Sequence, residues 1–462
     1  MSISKLRKTV QKRIKVASWI LAGLFFLSIP AYFSWGGGGL FGSRGIESGD
    51  IGKVNGIKIT GDIFEKIFNQ EKEKYPFASS PDSQLYLRLE VFNNIVDDII
   101  LSQAIKKERI KVSDRDVEKY IQQLINEEVE RAKKESKAKK FDEKSYRERL
   151  RSELEKQKDV LKRELIFKKL KEKVESRVKV TEEDLKNSYK EVHLRAIKVN
   201  SEQEAQQLLE KAKGQDFATL AKQYPSSKKN GGDMGWLPIE AFPPDVQNKI
   251  KSMQKGDIGI LRLGGSYFVA KLEDERLNLP KDFEKNKEKL LKSYEERKKQ
   301  SALQDYLYDL KSKANIQIYD PLLKAAQALQ SGDYNKAKQF IQEGLKLYHD
   351  DPNLLYALAT VYEKEGKEDE ALKLYERVAN QVYMGQAFYR MGTILEKRGK
   401  TKEAVEAYKK ASQYTGPDIL THYALKEKFA KFGLSQEKKK EEEIINRLSA
   451  SQRAIIGGGN AP

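Results

Sequence analysis

The chain contains no cysteine and only three histidines among its 462 residues. Without thiols, the protein can form no disulfide, no cysteine-ligated iron–sulfur cluster, no thiolate zinc site and no cysteine nucleophile. His193, His349 and His422 lie far apart in the sequence and show no HxxxH or HExxH spacing. We therefore expect neither a histidine-based metal site nor a hydrolase triad, and we expect no cofactor.

Long hydrophobic runs are also scarce. Hydrophobic residues make up 39% of the chain, charged residues 34%, and the mean hydropathy is −0.70, which excludes a polytopic membrane protein. Basic residues exceed acidic residues by 18 (87 − 69), a balance that suits nucleic acid, an anionic membrane surface or acidic partners. The charges alternate in sign along 126–179, and no RRM, KH or zinc-finger signature occurs. Nucleic-acid binding is therefore not expected.

One segment near the N-terminus has the composition of a membrane span. Residues 16–33 carry no charge and follow six basic residues within 1–15. Eighteen helical residues extend about 27 Å, close to the bilayer core of about 30 Å. The sequence thus predicts an uncleaved anchor over 16–35, a cytoplasmic basic segment and a Gly-rich tether over 36–49; the alternative is a cleaved signal peptide. This predicts a protein of the bacterial inner membrane whose bulk lies on the periplasmic side.

Residues 50–190 are expected to be mostly helical. They open with a predicted β-hairpin, because Asn55–Gly56 lies between two β-rich arms. Residues 85–110 have apolar side chains at three- and four-residue spacing, which predicts an amphipathic helix. The charge-rich stretch 126–179 is typical of one or two long, weakly amphipathic helices.

The pattern changes at residues 191–277, where strands, helices and a Gly-rich turn predict a compact α+β module. The motif DFATLAKQY…NGGDMGW followed by KGDIG…SYFVAKLE resembles parvulin-type peptidyl-prolyl isomerases. The flanking segments KVNGIKIT and VSDRDVEKYI resemble the N-terminal region of SurA-like and PpiD-like foldases, and ANIQIY (314–319) resembles the segment that returns to close that region. The resemblance implies a helical SurA-like chaperone domain, formed by 50–190 and 278–320, around a parvulin domain at 191–277.

The resemblance also implies polar active-site positions that this sequence does not retain. Parvulins commonly carry His, then Cys or Asp, and a second His at positions that here hold Ala196, Pro225 and Phe268. His193 lies three residues from Ala196 and is therefore expected on the opposite strand face. Whether the protein is an enzyme stays open. The residues expected to form an apolar substrate-binding pocket, or alternatively only a core, are Met234, Trp236, Phe242, Val246 and Phe268.

An internal repeat occupies the C-terminal third. Gly332, Gly366 and Gly399 are 34 and 33 residues apart, and each is followed five residues later by an alanine. This period and its small residues are typical of tetratricopeptide repeats (TPR). We expect a TPR α-solenoid with a capping helix over 321–448 and a disordered tail over 449–462.

Grooves of TPR solenoids bind peptide segments or partner subunits. The alternative is that these repeats only pack against their own neighbour. The positions that face the groove in this family are here Asn353, Tyr356, Thr360, Lys364, Gln386, Tyr389, Thr393 and Lys397.

Together these patterns predict a mainly α, multidomain fold: a single N-terminal transmembrane helix, a helical SurA-like domain, an α+β parvulin domain and a TPR α-solenoid. The leading interpretation is a membrane-anchored extracytoplasmic chaperone or foldase. It would bind unfolded or newly translocated polypeptides through a helical cradle and the parvulin-type domain, while the TPR recruits a protein partner. The alternatives are an active peptidyl-prolyl isomerase and a TPR scaffold of an envelope assembly complex.

Overall fold

The computed structural model describes residues 49–74, 80–135, 142–263 and 266–457. The predicted basic segment, the predicted anchor and the tether up to residue 48 lie outside these residues.

A small antiparallel sheet ties the N-terminal region together. Strands β1 (Asp50–Val54) and β2 (Ile57–Thr60) form the predicted hairpin, which is confirmed. Asn55 and Gly56 have φ of 47° and 91°, the positive values that a two-residue type I′ turn requires. Strand β7 (Ile316–Ile318) pairs antiparallel with the other edge of β1. The segment near residue 316 thus returns to the start of the described chain.

The described residues that follow the hairpin form six helices: α1 (Gly61–Lys74), α2 (Pro81–Lys107), α3 (Asp114–Glu135), α4 (Glu143–Glu155), α5 (Lys158–Glu175) and α6 (Glu182–Ser188). Helices α1 and α2 bury Phe64, Phe92 and Ile95 against the hairpin in one core. Helices α3, α4 and α5 form a second core around Ile121 and Leu150. A further cluster around Ala104 and Leu170 connects these two cores.

The α+β module contains a four-stranded antiparallel sheet with the strand order β4-β3-β6-β5. Its strands are β3 (Lys190–Val199), β4 (Asp233–Pro238), β5 (Ile258–Leu263) and β6 (Ser266–Leu277). Its helices are α7 (Glu202–Lys213), α8 (Phe217–Ala221) and α9 (Pro244–Lys251). Helix α10 (Phe283–Ser312) then leads back to the N-terminal region and packs against α5 and α2.

Four helical hairpins form the C-terminal repeats. Their helices are α11 (Pro321–Ser331), α12 (Tyr334–Leu347), α13 (Pro352–Lys364), α14 (Glu368–Val382), α15 (Gly385–Lys397), α16 (Thr401–Tyr414), α17 (Ile419–Lys431) and α18 (Ser435–Gly457). Close packing between α15 and α16 needs a glycine, because a Cβ at Gly392 would lie 2.7 Å from Tyr408 Cε1. Helix α18 includes residues 449–457 of the tail 449–462, for which the sequence predicts disorder, and residues 458–462 lie outside the described residues.

The membrane-anchored part of the predicted fold class needs correction. Among the helices of the described residues, none is sufficiently long and apolar to cross a membrane. A span needs about 20 consecutive apolar residues, whereas the long helices α2 and α10 carry charged side chains along their length. The predicted anchor at 16–35 lies outside the described residues. The structure therefore supports a mainly helical, multidomain protein, but neither the transmembrane helix nor the inner-membrane localisation.

Candidate functional site

Strand β3 divides the α+β module into two faces. Val192 and Leu194 pack in one apolar cluster with residues of α9, and we call this side the α9 face. Ile197 packs with residues of α7 and α8 on the other side, the α7–α8 face. Because side chains alternate along a strand, Ala196 lies on the α9 face and His193 on the α7–α8 face.

Four of the predicted site positions come together on the α9 face. Ala196, Phe242, Val246 and Phe268 belong to the same apolar cluster. Val246 is buried, whereas Phe242 and Phe268 are only partly buried. These four side chains can contact an apolar group such as a proline ring. None of them has a polar atom, so they offer no electrostatic stabilisation of a twisted prolyl bond.

The remaining positions of the predicted pocket and active site lie elsewhere. The Trp236 ring packs beside His193, with 5.3 Å between ring centroids, and so belongs to the α7–α8 face. The guanidinium carbon of Arg276 lies 4.2 Å from the centroid of the Trp236 ring. Met234 is 42% exposed, and Pro225 is exposed in the turn after α8. The pairing of β3 with β4 is irregular between His193 and Arg195. Trp236 is the residue of β4 that pairs with His193 at this irregularity.

A charged network on the α7–α8 face holds the Gly-Asp turn. Asp233 Oδ1 lies 2.8 Å from His193 Nε2 and accepts a hydrogen bond from the Gly235 N–H at 2.8 Å. The His193 hydrogen bond, followed by the Gly235 N–H, lowers the pKa of Asp233. Arg195 donates to Glu273 at 3.1 Å and to the Gly231 carbonyl at 2.9 Å. His193 therefore has a structural partner in Asp233 of the motif NGGDMGW, a pairing that the sequence analysis did not predict.

The turn also needs a glycine at position 232. Gly232 has a φ of +79°, and a Cβ there would lie 2.6 Å from the Ala196 carbonyl oxygen. The Ala196 N–H donates to the Gly232 carbonyl at 2.8 Å, which fixes the turn against β3. The backbone at Ala196, the position that holds a histidine in many parvulins, is thus held in place although its side chain is a methyl group.

Side chains of helix α10 contact two acidic residues that border the α9 face, one just before α9 and one in its first turn. Tyr294 Oη donates to Glu240 Oε1 at 2.9 Å, and Lys298 Nζ lies 2.8 Å from the same oxygen. Tyr308 Oη donates to Asp245 Oδ1 at 2.8 Å. Burial, followed by the Glu240 hydrogen bond, raises the pKa of Tyr294. A cavity of about 710 Å³ lies between α6, β3, α9 and α10. No sequence pattern predicts these contacts, because the partners are more than fifty residues apart.

The predicted groove positions of the second repeat line a cavity. Asn353, Tyr356, Thr360 and Lys364 lie along one wall of a space of about 460 Å³, and the start of α2 forms the opposite wall. Tyr356 is only 3% exposed. Its hydroxyl donates to Asp82 Oδ2 at 3.1 Å, so a helix of the N-terminal region covers this part of the groove.

The groove positions of the third repeat bond mainly within the repeats. Gln386 accepts a hydrogen bond from the Thr421 hydroxyl at 2.8 Å, and the Thr393 hydroxyl donates to the Tyr389 carbonyl at 3.0 Å. Lys397 Nζ lies 3.4 Å from a carboxylate oxygen of Glu368. Within the described part of the chain, no group of three or more His, Asp or Glu side chains could hold a metal ion.

Comparison with known proteins identifies the domain types. Family models match at 3–150 (SurA-like N-terminal domain), 180–288 (PPIC-type PPIASE domain) and 284–433 (tetratricopeptide repeat-like domain). The chain combines these three domain types. They confirm the SurA-like, parvulin-type and TPR-like domains predicted from the sequence, while the likeness to PpiD-like foldases stays a prediction.

The relatives are similar over parts of the chain. The foldase protein PrsA of Caldanaerobacter subterraneus is 29% identical over 306 residues, which are 61% of this chain and 87% of that protein. The chaperone SurA of Hydrogenovibrio crunogenus is 27% identical over 221 residues, which are 40% of this chain and 47% of that protein. The crystal structure of the peptidylprolyl isomerase PrsA from Bacillus anthracis has 23% identity and a TM-score of 0.25, covering 47% of this chain and 94% of that one.

Proposed function

We propose that the protein is a foldase or chaperone that binds unfolded polypeptides, with the PPIC-type domain acting mainly as a binding module. The observation that carries this proposal is the α9 face. Phe242 and Phe268 are partly exposed apolar side chains there, next to a buried Val246. Partly exposed apolar surface favours contact with hydrophobic segments of another chain. The three polar positions of parvulins hold residues that can neither donate a side-chain hydrogen bond nor titrate.

The relatives support the same general role. PrsA is named as a foldase and SurA as a chaperone, and both are similar to the region that contains the SurA-like and PPIC-type domains. In this proposal the SurA-like helices form a cradle for the unfolded chain. The TPR-like repeats recruit a protein partner, since solenoids of this kind offer extended binding surfaces.

Two assays on the full chain test the proposal. We expect suppression of the aggregation of a denatured client, together with little acceleration of cis/trans exchange in a Pro-containing peptide. Uncatalysed exchange takes tens to hundreds of seconds, so even weak catalysis is measurable. Rapid exchange catalysed by the unmodified protein would instead favour an active isomerase. If neither activity is found, a scaffold role becomes the better explanation.

Variants of the α9 face make the test specific. Phe242→Asp places a charge in the apolar cluster and should weaken binding of apolar, Pro-containing peptides. Tyr224→Asp is the matched control, because Tyr224 is a partly buried aromatic residue of the α7–α8 face. Equal losses in the two variants would mean that general destabilisation, not the α9 face, causes the effect. Introducing Ala196→His, Pro225→Asp and Phe268→His together should raise isomerase activity if the variant folds.

A further inference from the structure

Helix α10 uses two opposite sides for two different domains. On one side, Leu303 is buried in a cluster with Ala104 of α2 and Leu170 of α5, in the SurA-like region. Tyr294 and Tyr308 lie nine residues before Leu303 and five after it, which at about 100° per residue places both on the other side of the helix. Both tyrosines donate hydrogen bonds to carboxylates of the PPIC-type domain. One helix of the SurA-like domain therefore connects the core of that domain directly to the PPIC-type domain.

The accepting carboxylates enclose the segment that carries Phe242. Glu240 lies two residues before Phe242 and Asp245 three residues after it. Between them, Pro243 restricts the backbone, and Gln247 Nε2 donates to the Phe242 carbonyl at 2.8 Å. The partly exposed Phe242 ring is thus carried by a short, stiff segment, and hydrogen bonds from α10 reach the residues at both ends of this segment.

Tyr308 lies at the border of the α9 face. Its hydroxyl is 2.8 Å from Asp245 Oδ1 in the first turn of α9, and the next residue, Val246, belongs to the apolar cluster of that face. Burial, followed by the Asp245 hydrogen bond, raises the pKa of Tyr308, and the opposing charge of Arg262 shows that β5 also comes near this hydroxyl. Strand β5 contributes Leu261 to the same cluster. Because Tyr308 is 38% exposed, its ring adds accessible aromatic surface beside the cluster.

We propose that Tyr308 of α10 is a client-contacting residue of the α9 face, and that the hydrogen bond from Tyr294 to Glu240 positions Phe242 for binding. The client-binding site is then shared between the PPIC-type domain and a helix of the SurA-like domain. Its occupant is an extended, apolar, Pro-containing segment of an unfolded chain, because the accessible surface at the site consists mainly of aromatic rings. This inference rests on the proposed function and adds binding and positioning residues from outside the PPIC-type domain.

Fluorescence anisotropy of a labelled, apolar, Pro-containing peptide on the full chain tests the contact. Tyr308→Ala should weaken binding by roughly fivefold, because it removes one aromatic contact. Tyr308→Phe keeps the ring and should weaken binding less. Tyr319→Ala is the matched control, because Tyr319 is also an exposed tyrosine, at 42%, and its hydroxyl donates to Gln317 at 2.8 Å rather than to the PPIC-type domain. The control should bind the peptide as tightly as the unmodified protein.

A pair of hydroxyl deletions on α10 tests the positioning role. Tyr294→Phe loses the hydrogen bond to Glu240 and should weaken peptide binding. Tyr306→Phe is the control, because it loses a comparable hydrogen bond of 2.8 Å from the same helix, but to Glu108 of the SurA-like region. A loss of helix stability alone would affect both variants, so equal peptide affinities in the two variants would overturn the positioning role.

The absence of cysteine allows a direct test of proximity, because one introduced thiol is unique in the chain. The peptide with a thiol-reactive chloroacetyl group beside its proline should label Tyr308→Cys but not Tyr319→Cys, and excess unreactive peptide should suppress the labelling. Equal labelling of the two variants, or unchanged affinity in Tyr308→Ala, would overturn the inference. If Phe242→Asp still abolishes binding in that case, the proposed function stands, whereas no binding by the unmodified protein would overturn both.

Discussion

Replacing Asp98 with asparagine should stabilise the protein, and more strongly as the pH rises. Asp98 lies in α2 and is only 7% exposed, and its Oδ2 has no hydrogen-bond partner. Burial, and secondarily the charge of Asp97, raises the pKa of Asp98 from 3.8 to about 8. The folded protein therefore keeps this carboxyl protonated at neutral pH, whereas the unfolded chain ionises it.

The size of the effect on the free energy of unfolding follows from the difference between the pKa of Asp98 in the folded protein and in the unfolded chain. Between pH 4 and pH 8, only the unfolded chain loses the Asp98 proton, and each pH unit lowers the free energy of unfolding by about 1.4 kcal/mol. The stabilisation that comes from the protonated Asp98 carboxyl is fully present below the pKa of Asp98 in the unfolded chain. It is lost as the pH rises through the pKa of Asp98 in the folded protein. Over this range the free energy of unfolding falls by at most about 6 kcal/mol. Asparagine does not titrate, so the Asp98→Asn variant should lack this part of the pH dependence.

Urea unfolding followed by far-UV circular dichroism at pH 5, 7 and 9 measures the effect. The advantage of Asp98→Asn over the unmodified protein should grow from pH 5 to pH 9. Asp309→Asn is the control, because Asp309 is exposed and pairs with Lys313 Nζ at 2.7 Å. A constant free-energy difference between Asp98→Asn and the unmodified protein across these pH values would show that the carboxyl is ionised in the fold.

Three further predictions concern the repeats and the Gly-Asp turn. His422 Nδ1 lies 2.5 Å from a carboxylate oxygen of the buried Glu441. Burial opposes protonation of His422, but the hydrogen bonds to Glu441 and to the Gly416 carbonyl, with the charges of Glu441 and Asp418, together outweigh burial and raise the pKa of His422. The stabilisation from His422 should therefore be present below about pH 6.5 and be lost as the pH rises, and His422→Gln should abolish this change in thermal melts at pH 5.5 and 8.5. Ala371→Leu should lower the free energy of unfolding by about 1–3 kcal/mol through overpacking, since Ala371 is fully buried; an unchanged melting temperature would contradict this packing. Gly232→Ala should cost about 1–3 kcal/mol, because its Cβ would collide with the Ala196 carbonyl, and wild-type resistance to urea would disprove that strain.

Local chemistry explains which features the sequence alone could predict. The hairpin at Asn55–Gly56 depends on two adjacent residues that tolerate positive φ. The repeats depend on a small residue at a fixed period, and Ala371 is indeed buried where that period places it. The apolar set around Phe242 and Phe268 followed from motif order within one module. In each case the determining residues lie close together in the chain.

Tertiary structure decided the features that join distant segments. The sequence placed Trp236 beside the apolar pocket, but the irregular β3–β4 register puts its ring against His193 on the opposite face. The sequence also placed Tyr356 in an open groove, whereas Asp82, 274 residues earlier, covers it. A strand register and a docked helix are set by the summed packing of whole elements, and no local pattern of residues encodes them. The amino-acid sequence therefore determined the three domain types, and only the assembled fold determined which surfaces of those domains remain accessible to a partner.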